Sequence, residues 1–315
     1  MSSSIPLPAP QDLTLQLRHA LPEFACVQWL ADTDSTNAQL LARARQMGQA
    51  DVPARPWLLG AHAQQQGRGR AGRLWQHRAG ATLMFSCAFD VPLPPARLPA
   101  LSVLAGVAAC EALRQWLSPP ARQHLCLKWP NDVQWQGGKL AGLLLETARS
   151  GAAGGTGQSI VVMGMGLNLT DAPVLEQALQ RPIADWCGIA RADACAASVS
   201  AAQMVAGLAR AWQFSVAQAV QQQALTALPQ RFAAVDALYG QSVNVQEQNR
   251  VVQSGVACGV DDGGRLLLRL PVEMAAEALA ENAPEALWPV TVGEVSVRVS
   301  GQAQTQTQTK PGAAP

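Results

Sequence analysis

The chain has 315 residues with 14% charged side chains, a formal net charge of +1 and a mean hydropathy of +0.06. That length accommodates a full catalytic core plus one small domain. The near-zero net charge argues against a general polyanion binder, so any anion site must come from local clustering. The seven cysteines and four histidines are scattered, with no CxxC pair and no HExxH face. That pattern favours reduced thiols over a disulfide framework or a zinc site.

In chain order, residues 1–12 are Ser/Pro-rich and are predicted to be disordered, as is the polar tail 301–315. Residues 24–33 read as a strand. Residues 35–47 read as a helix with Ser35 or Thr36 at its N-cap. Strands are predicted over 55–64 and 81–91, and an alanine-rich helix over 98–117 that should lie against a sheet. Residues 125–136 and 139–148 read as two strands of a hairpin closed by Gly137–Gly138, and 159–170 as a further strand. Helical spacing returns over 198–235, with Leu208, Ala211, Trp212 and Val216 toward a core. From Tyr239 the pattern changes to short strands around a DDGG turn, which predicts a small β-barrel, interrupted by the alanine- and glutamate-rich insertion 271–288. No 20-residue apolar run and no leader pattern are present, which predicts a soluble cytoplasmic protein with no membrane partner.

Three segments carry chemistry. In 64–75 (QQQGRGRAGRLW), Gly67, Gly69 and Gly72 satisfy GxGxxG, yet a strand follows where a dinucleotide fingerprint needs a helix. No GK[ST] closes a Walker A loop. What remains is a mobile loop with Arg68, Arg70 and Arg73, whose guanidinium forks suit carboxylate and phosphate. In 128–142, Pro130 breaks pairing, Asn131–Asp132 turn the chain, and Lys139 follows the glycine turn. Taken alone, Lys139 reads as a solvated lysine at a hairpin end. In 164–168 (GMGLN), glycines leave room for a ligand ring and Asn168 offers a hydrogen bond; alone, such glycines more often mark a bulge.

The order and spacing of STN at 35–37, QQQGRGRAGRLW at 64–75, LKWPND at 127–132, GKLAGLLLE at 138–146 and GMGLN at 164–168 resemble the consecutive motifs of the biotin protein ligase family. The resemblance extends over residues 30–300, including VGEVSVR near the end. It implies an α+β fold with a mixed-sheet, class II synthetase-like catalytic domain over 13–236 and an SH3-like barrel over 237–300. It implies that biotin is activated with ATP as biotinyl-5′-AMP and transferred to one lysine of the biotin carboxyl carrier domain of acetyl-CoA carboxylase or a related carboxylase, with Mg2+ carried on the ATP phosphates.

By the same resemblance, Ser35, Thr36, Asn37 and Gln64 bind the ureido ring and its neighbours, and Gly142, Gly164 and Gly166 line the biotin pocket. Arg68, Gly69 and Arg70 order over the adenylate, and Lys139 reaches the reacting carboxylate and α-phosphate. Trp75, Asn131, Asn168, Glu294 and Arg298 fall on the nucleotide side. Ala71 stands where many members carry arginine, which implies a looser hold on the adenylate. About 30 residues precede STN, fewer than the family's helix-turn-helix domain, so no DNA partner is expected. The rival readings are a lipoate or octanoate ligase, which shares this type of core, and a biotin-responsive repressor.

Overall fold

The computed structural model describes residues 7–46, 54–72, 74–149, 159–248, 250–270, 287–292 and 296–300. Seven strands, β1 (Cys26–Thr33), β2 (Trp57–Gln64), β3 (Thr82–Val91), β4 (Leu125–Lys128), β5 (Asp132–Trp135), β6 (Gly138–Arg149) and β7 (Ser159–Asn168), form one sheet in the order β1-β2-β3-β7-β6-β5-β4. β1 and β2 pair in parallel and the other neighbours are antiparallel, so the sheet is mixed. Alternate residues of a strand face opposite sides, and here both sides are covered. Leu83, Phe85 and Cys87 of β3 pack with Val161 and Met163 of β7, helix α3 (Ala100–Arg114) and the helix Ala201–Gln222. On the other face, Ala88, Ile160 and Val162 pack under Leu40, Leu41 and Ala44 of helix α2 (Thr36–Arg45). Covering both faces explains why β3 reads as a nearly continuous apolar run.

The structure departs from the sequence reading in four places. Helix α1 (Pro10–Ala20) begins inside the segment expected to be disordered, because Leu13 and Leu17, one turn apart, are fully buried. It closes the outer edge of β1: the Thr14 hydroxyl accepts from Trp29 N–H at 2.9 Å and Arg18 Nε donates to Val27 O at 3.0 Å. The segment 125–136 is two strands rather than one, turned at Trp129–Asn131. The following turn is Gln136–Gly137, both with positive φ (48° and 81°), rather than Gly137–Gly138. Three short helices, Ala172–Leu179, Trp186–Ala192 and Ala194–Ala197, occupy a stretch for which no element was predicted.

Strands β8 (Ser242–Glu247), β9 (Arg250–Val260), β10 (Leu266–Arg269), β11 (Leu287–Val290) and β12 (Ser296–Val299) form a second, wholly antiparallel sheet in the order β11-β10-β9-β8-β12, in keeping with the expected small barrel. β11 begins at Leu287, inside the stretch assigned to an insertion; residues 271–286 and the tail 301–315 lie outside the described residues. The buried Trp129 indole donates to Gly264 O at 2.9 Å, and Gly264, at φ 72°, stands where a side chain would press on Ala100 of α3. These contacts join the small sheet to the large one, and Ser296, Val297 and Arg298 of β12 line the same cavity as Asp132 of β5 and Lys139 of β6. Among the described residues, no helix is long and apolar enough to cross a membrane.

Candidate active site

The face of β7 that carries Ile160 and Val162 beneath α2 continues as Gly164 and Gly166, beyond the first turn of that helix. These glycines let Asn37 and Trp75 lie close against the strand, and a cavity of about 190 Å³ opens over the sheet beside them. Ser35, Thr36, Asn37, Gln64, Arg68, Gly69, Arg70, Trp75, Asn131, Lys139, Gly142, Gly164, Gly166 and Arg298 all line it. Two predicted residues are not among them. Asn168 is buried and donates from Nδ2 to Lys139 O at 3.2 Å and Ala184 O at 3.1 Å, lining instead a smaller neighbouring slot of about 40 Å³. Glu294 lies outside the described residues, as do Arg73 and the side chain of Ala71.

One end of the cavity is polar and ordered. Ser35 caps α2, its hydroxyl accepting from Ala38 N–H, so Thr36 and Asn37 sit in the first turn of a helix whose N-terminus faces the cavity. Thr36 N–H donates to Gln64 Oε1 at 2.7 Å, and the Thr36 and Ser86 hydroxyls are 2.7 Å apart. Ser86 Oγ donates to Asn37 Oδ1 at 2.6 Å, while Asn37 Nδ2 donates to Glu146 Oε2 at 2.8 Å. A Cβ on Gly164 would overlap Asn37 Oδ1, so the glycine is what lets this network cross the strand.

The floor is a glycine pair. Gly142 of β6 and Gly166 of β7 are register partners, and the Trp75 indole lies across both: a Cβ would meet the ring at 2.8 Å from Gly142 and 2.6 Å from Gly166. The loop carrying Trp75 is closed by Trp75 N–H to Gly67 O at 2.8 Å and a bridge from Arg68 to Leu74. His77 ties this loop to the polar end. Its Nε2 accepts from Gln64 N–H at 3.1 Å, which leaves the proton on Nδ1, 3.3 Å from Trp75 O.

The far end is cationic. Lys139 Nζ contacts Asp132 Oδ1 at 2.6 Å and lies 5.2 Å from the Trp75 ring centroid. Simple alternation from Leu143, a core residue, would turn Lys139 toward the core. A bulge between the Val133 and Gln134 pairings shifts it to the face of Gly142, whose added Cβ would be 3.1 Å from the ammonium. Arg70 Nη1 reaches Asn131 Oδ1 at 3.5 Å, and Asn131 is itself pinned by Nδ2 to Leu143 O at 2.5 Å. Burial first, then the Arg298 guanidinium, push the Lys128 ammonium below its ordinary pKa; Lys139 and Arg181 act in the same direction and Asp132 opposes them.

Ser86, Lys128, Asp132 and Arg181 were not assigned to the site from sequence, yet all four line it. Ser86 had a signal in its hydroxyl in the middle of an apolar strand, and Lys128 and Asp132 flank the proline turn. Arg181 belongs to no motif.

Comparison with known proteins identifies the family. Residues 31–168 match the biotin/lipoate A/B protein ligase family, and residues 238–298 match the biotin protein ligase C terminal domain. The chain belongs to that ligase family and carries both of its domains. It is 42% identical over 146 residues to the biotin–[acetyl-CoA-carboxylase] ligase of Mycobacterium tuberculosis, a stretch covering 46% of this chain and 49% of that protein. It is 30% identical over 235 residues to the bifunctional ligase/repressor BirA of Escherichia coli, covering 75% of this chain and 66% of that one. The match thus spans about half to two thirds of these relatives. In fold, the biotin protein ligase from Aquifex aeolicus, solved in complex with biotin and ATP, superimposes with a TM-score of 0.63 at 20% identity, over 87% of this chain and 99% of that one.

Proposed function

We propose that the chain is an ATP-dependent biotin protein ligase. The observation that carries this reading is that one cavity joins a fixed hydrogen-bonding end, a glycine floor and a cationic end. A bicyclic ureido ring needs donors and acceptors at a closed end, which Ser35, Thr36, Asn37 and Gln64 supply; a dithiolane ring offers no matching groups. The apolar rings and valeryl chain fit against the Trp75 indole that covers Gly142 and Gly166, which places the carboxylate beside Lys139, Arg68 and Arg70. The neighbouring slot, lined by Trp75, Leu175, Leu179 and Ile183 among others, offers an aromatic ring and apolar side chains for the adenine.

The chemistry is the joining of two anions. A biotin carboxylate oxygen attacks the α-phosphorus of ATP, and a new O–P bond forms. The bond from that phosphorus to the bridging β-oxygen breaks, and its electron pair leaves with pyrophosphate. No side-chain nucleophile takes part. Lys139, Arg68 and Arg70 offset the repulsion between carboxylate and phosphate and hold charge in place as it redistributes. A carrier-domain lysine amine then attacks the mixed anhydride, forming the amide and releasing AMP; the carrier is the biotin carboxyl carrier domain of acetyl-CoA carboxylase or a related carboxylase.

The described cavity lining contains one carboxylate, Asp132, already paired with Lys139, and no cluster of three metal-ligating side chains occurs among the described residues. That donor set does not fit a protein-held divalent cation, so Mg2+ belongs to the ATP substrate. The test is thermal stabilisation in the presence of ATP: biotin is expected to raise the midpoint several degrees and lipoate to leave it unchanged. Stabilisation by lipoate with none by biotin would overturn the assignment.

A further inference from the structure

Behind the polar end of the cavity stands a carboxylate that no step of the reaction uses. Glu146 lies on β6 opposite Val162 of β7, on the face that packs under α2, and its Oε2 accepts from Asn37 Nδ2 at 2.8 Å. Asn37 Nδ2 also reaches Leu144 O at 3.3 Å. An ionised carboxylate accepts hydrogen bonds and donates none. Two acceptors therefore face one end of the Asn37 amide and fix which way it is turned, with its NH2 toward β6 and its Oδ1 toward Ser86.

Counting protons carries that direction to the cavity. Asn37 Oδ1 can only accept, so the Ser86 hydroxyl gives it its one proton, at 2.6 Å. Ser86 Oγ, with that proton spent, accepts from the Thr36 hydroxyl 2.7 Å away. Thr36 has then spent its own proton as well, so its 3.3 Å approach to Gln64 Oε1 carries none. What Thr36 offers a ligand is a lone pair. Gln64 Oε1 is taken by Thr36 N–H at 2.7 Å, so Gln64 offers the hydrogens of Nε2. Thr36, Asn37 and Ser86 are all buried, where hydrogen bonds in series polarise one another.

We propose that Glu146, acting through Asn37 and Ser86, is a positioning residue that sets the hydrogen-bond polarity of the ring subsite, with an acceptor at Thr36 and a donor at Gln64. This rests on the ligase reading and deepens it, because a cyclic urea carries an N–H beside a C=O and so presents the matching donor and acceptor. Glu146 does not itself line the cavity; its effect passes through the bonds to Asn37, Ser86 and Thr36 in turn. Without the carboxylate, only the longer contact with Leu144 O orients the amide. A turned amide offers Nδ2 to Ser86, Ser86 then donates to Thr36, and Thr36 donates into the cavity. A ureido N–H arriving there meets a donor, and the preference for a cyclic urea is lost.

The experiment is calorimetry of the full chain and its variants with biotin and with the two cyclic carbamate analogues of biotin, each carrying a ring oxygen in place of one ureido N–H. The parent is expected to reject at least one carbamate by about a hundredfold or more. Glu146→Leu is expected to bind biotin about tenfold more weakly and that carbamate within about twofold of the parent, so the preference shrinks about tenfold. Glu146→Gln, whose Oε1 can still accept from Asn37, should retain most of the preference. Ser86→Ala cuts the same series one bond further on and should shrink the same ratio, a second reading that does not depend on how well Glu146→Leu folds. Equal weakening of biotin and both carbamates in Glu146→Leu and Ser86→Ala would make the contacts merely structural and overturn the proposal. So would an unchanged preference in those variants, or a parent that binds biotin and both carbamates alike. A parent that binds no biotin overturns the ligase reading instead.

Discussion

Lys139 is held 2.6 Å from Asp132 inside the cavity, and both side chains are largely withdrawn from water, at 15% and 27% exposure. A lysine in that position is fixed in direction before any substrate arrives. Lys139→Ala is therefore expected to reduce adenylate formation by about a hundredfold or more while biotin still binds, because the polar end of the cavity is untouched. Single-turnover formation of biotinyl-AMP is the measurement. A rate within a fewfold of the parent would return Lys139 to the role of an ordinary hairpin lysine.

Arg70→Gly is expected to weaken retention of the adenylate more than its synthesis. Arg70 sits in the glycine-bearing loop, lines the cavity and reaches Asn131, a position from which its guanidinium can hold the phosphate of the intermediate. Loss of a charge-assisted hydrogen bond costs about 1.5–3 kcal/mol, or roughly tenfold to a hundredfold faster escape. Escaped anhydride acylates any amine, so streptavidin blots should show serum albumin labelled by the variant and not by the parent, at matched pyrophosphate release. Equal, negligible labelling would mean that Arg70 does not retain the intermediate.

The two glycines of β7 should fail in different ways. Gly164→Ala drives a methyl into Asn37 Oδ1 and the Ser86 hydroxyl, disturbing buried hydrogen bonds at about 1–3 kcal/mol, so the thermal midpoint should fall. At Gly166 the atoms nearest an added methyl belong to the Trp75 ring, which rides on a loop and can move. The stability of Gly166→Ala should stay within about 0.5 kcal/mol, while the KM values for biotin and ATP rise. Denaturant titration together with steady-state kinetics separates the two, and the reverse pattern would misplace the floor.

Much of this site was legible because its motifs are local. The glycines of GMGLN mark close approach, the guanidiniums of the GRGR loop mark anions, and STN opens a helix, each within a few residues. What was not legible depends on the folded context. The direction of Lys139 is set by a bulge in the pairing of β5 and β6, and strict alternation gives the wrong face. Arg181 reaches the cavity only because 182–184 lie alongside Lys139. Helix α1 was missed because the Pro-rich composition before it masked the spacing of Leu13 and Leu17. Turn chemistry decided the KWPND strands, where the chain reverses twice rather than once.

Asp236 provides a pH dependence outside the cavity. Burial raises its carboxyl to about 6, against the backbone hydrogen bonds from Leu238 and Tyr239, and its Oδ2 has no hydrogen-bond partner among the described residues. A carboxyl whose folded pKa exceeds its unfolded value binds more protons when folded. It therefore contributes stability at low pH that is lost as pH rises from about 4 through about 6. Asp236→Asn should raise stability at pH 7.5 by on the order of 1–2 kcal/mol and flatten this part of the profile. Urea midpoints between pH 4.5 and 7.5 test it, and a variant that parallels the parent across that range would show that Asp236 does not titrate there.

The central claim is that biotin and ATP meet in this one cavity and react there without a protein nucleophile. Isotope exchange between pyrophosphate and ATP, in the purified protein with no carrier present, tests it most directly. The account predicts that labelled pyrophosphate enters ATP when biotin is added, that no label enters when biotin is omitted or replaced by lipoate, and that Lys139→Ala slows the exchange about a hundredfold or more. Exchange that proceeds equally without biotin, or none at all from a folded protein supplied with biotin, ATP and Mg2+, would contradict it.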